Sequence, residues 1–279
     1  MKPTLILIAP LAILLLSFPA AAQTQPATSA SELQMGVDSY KSARYQDAIQ
    51  HFEKAVDLDG ANLNARLYLA TACMTQYIPG VDTPENAHWA EKAIDQYQHV
   101  LDADGETTPR INSAKGIAYL YLNMKKFDDS KRYYQIASDL DPGDPEPYYS
   151  LGVIDWTECY QPRMEARARL GLRPDENLDA RNKDQKKVCD ELRARDMSIV
   201  EHGIDSLKKA IELRPDYDDA MAYINLMYRE KADLECDDPG ARSEDLKTAD
   251  EWVDRTLATK KAKAEKGARQ SAPTAPNPQ

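Results

Sequence analysis

Between Tyr45 and Gly60 the chain reads YQDAIQHFEKAVDLDG, and its small and large apolar positions recur at helical spacing. Ala48, Phe52 and Ala55 lie four and then three residues apart, which puts them on one face of a helix, and Gly60 ends the run. Weaker echoes return as AEKAIDQYQHVLDADG from Ala90, FDDSKRYYQIASDLDP from Phe127 and EHGIDSLKKAIELRPD from Glu201. In each a small residue (Ala93, Ser130, Gly203) precedes a large one (Tyr97, Tyr134, Leu207) by four. A modest residue (Val100, Ala137, Ala210) and then a chain breaker (Gly105, Pro142, Pro215) follow. Small residues let a neighbouring helix approach, the large one fills the gap, and the breaker stops the helix.

A second amphipathic segment lies upstream of each echo: ELQMGVDSY, ARLYLATACM, SAKGIAYLYL and YYSLGVIDW, with MAYINLMYRE following Pro215. Each pair predicts a helical hairpin whose apolar face cannot be buried alone and must stack on its neighbours.

These residues resemble the tetratricopeptide repeat, a helix-turn-helix unit of about 34 residues. The family's small-large-small-Pro signature falls on Ala48, Phe52, Ala55 and Gly60, its Leu-Gly pair on Met35-Gly36 and on Leu151-Gly152, and its turn aromatic on Tyr45 and Phe127. The resemblance covers most of residues 29–257 and implies an all-α, right-handed α-solenoid of about five hairpins. Three departures stand out. Ala55 and Val100 are 45 residues apart, so the second unit carries extra chain in YIPGVDTPENA. Ala137 and Ala210 are 73 apart, so the fourth holds an insertion, about 157–202, expected as added helices after Trp156. The fifth has a loop of its own, ECDDPGARSED. From about Ala258 the periodicity fades, and the segment 258–279, ending in APTAPNPQ, reads as a disordered tail.

The family places a partner-binding groove along the first helix of each unit. Carried over position by position, the resemblance implies Leu67, Thr71 and Met74 in the second unit, and Asn112, Lys115, Tyr119 and Asn123 in the third. It adds Tyr149, Val153 and Trp156 in the fourth, and Asp219, Ala222 and Arg229 in the fifth. The implied ligand is an extended peptide, anchored by aromatics and held by Lys or Asn. The Lys-Asn clamp that some relatives use for a C-terminal carboxylate has Leu33 and Val37 at its first-unit positions, so that mode is disfavoured.

The first residues, MKPTLILIAPLAILLLSFPAAAQ, combine Lys2, an apolar run and an alanine triplet before Gln23. That is the pattern of a secretory signal peptide over 1–22, followed by a short leader over 23–28; an uncleaved anchor is the alternative. Export to the periplasm or beyond, with no membrane span after cleavage, is the expectation. Eleven glycines in 279 residues and a 42% hydrophobic content suit a folded helical chain, while the net charge of −11 and pI near 5.0 exclude bulk electrostatic attraction to nucleic acid or anionic lipid.

An exported chain with four cysteines invites pairing. Cys73 sits mid-helix as a small hydrophobe; Cys159 and Cys189 bracket most of the insertion and are the first expectation for a disulfide, with Cys189–Cys236 the alternative. The insertion itself is densely charged and balanced, ten basic against ten acidic residues over 157–202, which reads as a solvated helix with internal ion pairs. No His-Glu-x-x-His, complete calcium loop, Gly-x-Ser-x-Gly or phosphate-binding glycine motif occurs, so no metal, cofactor or catalytic residue is assigned. The reading is a non-enzymatic scaffold that binds a protein or peptide in the cell envelope. The alternatives are an enzyme or redox protein with its site around Cys159, Cys189 or His202, and a self-associating structural subunit.

Overall fold

A computed structural model describes residues 27–173 and 176–271, with side chains to residue 268. The expected signal segment and the expected leader up to residue 26, and the final residues 272–279, lie outside the described residues. Among those described there is no strand, and ten helices follow one another in antiparallel pairs. They are α1 (Ser29–Lys41), α2 (Tyr45–Leu58), α3 (Leu63–Gln76), α4 (Pro84–Asp102), α5 (Thr107–Asn123), α6 (Phe127–Leu140), α7 (Pro145–Arg169), α8 (Lys183–Leu213), α9 (Asp218–Leu234) and α10 (Pro239–Ser271).

Consecutive helices form five hairpins stacked side by side into an α-solenoid. Polar caps start many of them: Thr28, Asn62, Thr83, Asp144 and Asn182 each accept a hydrogen bond from a backbone N–H of the first turn. The small residues act as expected. A Cβ on Gly36 would lie 2.4 Å from the Phe52 ring, and one on Gly152 would lie 2.4 Å from Leu207, so hairpin partners meet where only hydrogen fits. Gly116 takes the Tyr97 ring of the preceding unit in the same way.

The buried side chains form two large clusters and a small one. One large cluster runs through the first three hairpins around Phe52, Leu69, Tyr97 and Ile117; the other fills the last two around Leu207, Met221, Ile224 and Met227. Between them lies the small cluster of Ala118, Tyr134, Leu151 and Ile154, with Leu122, Phe127 and Tyr133 packed against it.

Three expectations are corrected. The insertion does not add helices; it lengthens both helices of the fourth hairpin. After Trp156 α7 continues through Pro162 to Arg169, and Gly171, with a positive φ of 70° and its N–H on the Ala168 carbonyl, ends the helix. Asn182 then caps α8, which is 31 residues long. The disulfide joins Cys189 to Cys236, not Cys159 to Cys189. With α7 continuous, Cys159 faces the core and is buried, whereas Cys189 near the start of α8 meets the α9–α10 loop. Finally, the helical part of the expected tail is no coil: α10 runs through Ala258 to Ser271. A helix already nucleated by packing propagates into an Ala- and Lys-rich stretch without needing an apolar face.

Candidate partner-binding surface

The positions assigned to the groove lie on the first helices of the second to fifth hairpins, and the structure treats them unequally. In α3 they are drawn inward. Thr71 Oγ1 donates to the Leu67 carbonyl at 2.8 Å and lies 3.1 Å from the Tyr97 hydroxyl, which also reaches Met74 Sδ at 3.8 Å. Leu67 and Met74 pack half-buried on the core. In α5, by contrast, Asn112 is exposed and the Tyr119 ring remains 45% exposed, while Asn123 donates back to the Tyr119 carbonyl at 2.8 Å.

Lys115 is already engaged: its ammonium bridges Asp144, at 2.7 Å, and Glu146, tying α5 to the start of α7. In α7, Val153 is half-buried and the two aromatics join a larger block. Tyr149 lies 4.9 Å from Tyr217 and 5.8 Å from Tyr223 between ring centroids; Trp156 stacks on Tyr160 at 4.8 Å and meets Tyr223 edge-on at 5.6 Å. Such pairs hold their geometry because the edge of one ring attracts the face of the next. Arg229 is spent on Asn225 and Asp250. Asp219 is exposed and Ala222 half-buried.

Tyr223, which joins the α7 and α9 aromatics, escaped the sequence reading because the fifth unit was framed on Pro215, and that frame selects Asp219 and Ala222 instead. A second surface was also missed. A cleft of about 980 Å³ opens between the second and third hairpins, walled by α4, the 77–83 loop and the α5–α6 turn. Tyr77, Ile94, Tyr121 and Tyr133 line it, with Asp82, Glu91 and Asp95 on one side and Lys125 and Lys126 on the other; of the expected residues only Asn123 borders it. The loop is a built wall. Buried Asn86 accepts from the Ile78 N–H at 2.7 Å and donates to the carbonyls of Ile78 and Val81, leaving Ile78 and Val81 themselves exposed. The surplus length of YIPGVDTPENA was the available signal.

The thiols offer no activated nucleophile among the described residues. Burial pushes the Cys73 thiol up to about 12 and raises that of Cys159 as well, while Cys189 and Cys236 are paired. His202 is directed at Asp155, 2.6 Å away. The charges of the lengthened hairpin form an internal network instead: Arg163 donates to both carboxylate oxygens of buried Glu230, at 2.5 and 2.7 Å, and to Asp233 at 2.7 Å. No three or more His, Cys, Asp or Glu side chains converge as a metal site among the described residues, and none of the described helices is long and apolar enough to cross a membrane.

Comparison with known proteins agrees with this architecture. A tetratricopeptide-repeat family model matches residues 116–144, the second part of α5 and all of α6. No curated protein matches the chain in sequence. Among solved structures, MamA superposes with a TM-score of 0.55 at 17% identity, covering 89% of this chain and 98% of its own. MamA from Desulfovibrio magneticus RS-1 gives 0.50 at 12% identity, covering 84% and 96%. YrrB, described as a TPR protein with an unusual peptide-binding site, gives 0.50 at 13% identity, covering 84% and 92%. The chain thus carries one match to the family's repeat, in its third hairpin, and has the fold of tetratricopeptide-repeat solenoids.

Proposed function

We propose that this protein is an exported scaffold that binds a protein or peptide segment in the cell envelope along the first-helix face of its third to fifth hairpins. The observation that carries the reading is the set of aromatics on these first helices: exposed Tyr119 on α5, and the half-buried block of Tyr149, Trp156 and Tyr223 on α7 and α9. Large rigid aromatics supply contact area at small entropic cost and dominate binding at such surfaces. Lys115 contributes less than its charge suggests, since its ammonium is bonded within the fold. The peptide-binding site named for YrrB shows that a solenoid of this kind can present one. Export rests on the 1–22 segment.

The test places a photo-crosslinking amino acid at position 119 in cells and, as a control, at position 187, an exposed site on the lengthened fourth hairpin. One envelope protein captured at 119, absent at 187 and lost from the Tyr149→Ala variant supports the reading. Equal capture at both positions, or a chain that retains residues 1–22 in the cytoplasm, overturns it.

A further inference from the structure

Charge is distributed unevenly along this molecule. Residues 258–279 hold five of the 35 Lys and Arg but one of the 46 Asp and Glu, a local charge of +4. The remaining 257 residues therefore carry −15 against −11 for the whole. The fold concentrates that contrast at one place. Thr259 Oγ1 lies 3.5 Å from Met221 Sδ, and Lys263 pairs with Asp218, the first residue of α9. The last eight residues of α10 thus run past the end of α9 by about 12 Å. Every residue from Lys260 to Ala268 is exposed, and the extension begins at Leu257, 61% exposed.

We propose that this cationic extension of α10 is a self-association surface that docks on the acidic flank of a second copy of the chain. The flank is formed by the turns after α2 and α4. Asp57, Asp59, Asp102, Asp104 and Glu106 are exposed there, and none has an ion-pair partner among the described residues. The two turns are neighbours: a Cβ on Gly105 would lie 3.5 Å from Leu63. Leu58, 48% exposed, stands between Asp57 and Asp59 as an apolar counterpart to Leu257.

The flank belongs to the first two hairpins and the extension to the fifth, with two hairpins between them, so the contact joins different molecules. A surface meeting a different surface gives a head-to-tail association. An anionic membrane is the poorer partner, because the extension has no large apolar residue beyond Leu257 and the acidic body is repelled from the same surface.

Sedimentation velocity of the mature protein tests this at low and high salt, beside the triple variant Lys260→Gln, Lys261→Gln, Lys266→Gln, which spares the Lys263–Asp218 pair. The expected result is concentration-dependent association at low salt that dissolves at high salt, as screened ion pairs do. The variant should associate at least tenfold more weakly with unchanged helicity. Charge exchange adds a second measurement: the Glu versions of the three lysines should regain association when mixed with an Asp57→Lys, Asp59→Lys partner. A monomer at low salt, association unaltered in the triple variant, or no recovery on exchange overturns the proposal. So does co-sedimentation with phosphatidylglycerol vesicles in the absence of self-association. Tyr119→Ala leaves this contact intact, so the two surfaces fail separately.

Discussion

His202 Nδ1 lies 2.6 Å from Asp155 Oδ2, a contact that fastens α8 to α7 across the centre of the fourth hairpin. Asp155 is fully buried and also receives Lys131, 2.7 Å away, from α6; Lys131 in turn holds Glu158, and Gly203 packs on Asp155 from α8. The hydrogen bond to Asp155 raises the His202 pKa above 6.5, more than burial and Lys131 lower it. A raised folded-state pKa means that the protonated pair stabilises the fold fully below pH 6.5 and loses that contribution as the pH climbs through the folded value. The His202→Gln variant should therefore lose stability relative to wild type at pH 5.5 and approach it near pH 8.5. Because the ring is half exposed, the difference stays under about 1 kcal/mol. Urea titrations at the two pH values, with an NMR titration of His202, measure it.

The glycines make predictions of opposite sign. In Gly36→Ala the new methyl meets the Phe52 ring at 2.4 Å, and Phe52 is fully enclosed, so the α1–α2 crossing must open. A loss of about 1–3 kcal/mol is expected, as for other overpacked sites. Gly267 has nothing within 4 Å of a Cβ and lies inside α10, so Gly267→Ala should stabilise that helix by about 0.5–1 kcal/mol. Circular dichroism melts of both variants decide the pair.

The Cys189–Cys236 bridge spans a sequence separation of 47 and ties the start of α8 to the α9–α10 loop. Beside it Arg193 donates to the Leu234 carbonyl at 2.7 Å. Closing a loop of this length constrains the unfolded chain by about 2–4 kcal/mol. Non-reducing peptide mapping should recover the Cys189–Cys236 pair with Cys73 and Cys159 as thiols, and Cys236→Ser should lower the denaturation midpoint by a corresponding amount. A Cys159–Cys189 peptide would contradict the fold of the fourth hairpin.

Arg163 and Glu230 are both nearly enclosed, so removing one partner leaves a charge inside. Glu230→Ala should cost about 3–5 kcal/mol, and the double change Arg163→Met, Glu230→Leu should recover most of it. Equal losses in the single and double variants would show that shape rather than charge governs the site.

The hairpins were readable because Ala48, Phe52, Ala55 and their counterparts pack against one another locally, and local packing leaves a period in the sequence. The lengthened fourth hairpin was readable as surplus chain but not as two extended helices. There the deciding facts were the continuation of α7 through Pro162, a residue that reads as a helix stop, and burial of Arg163 and Arg167 against α9, a long-range pairing that charge counting presents as a solvated surface. Tyr119 is exposed and Trp156 half-buried on first helices, whereas the inward turn of Thr71 and Met74 depended on where the Tyr97 hydroxyl reached. Tyr223 and the Asn86-braced loop lay outside the repeat register, so no family position pointed to them.

The narrow seam between the two large cores has one more consequence. Among the described residues a small apolar cluster of Ala118, Tyr134, Leu151 and Ile154, with Leu122, Phe127 and Tyr133 packed on it, joins the third hairpin to the fourth, and ion pairs stand beside it, Lys115 with Asp144 and Glu146 and Lys131 with buried Asp155 and Glu158. The molecule thus holds two large apolar cores, one across three hairpins and one across two, joined by a seam rich in ion pairs. A ligand of the proposed kind, lying from Tyr119 to Tyr149, would span that seam, so its affinity should change with ionic strength together with the seam's ion pairs.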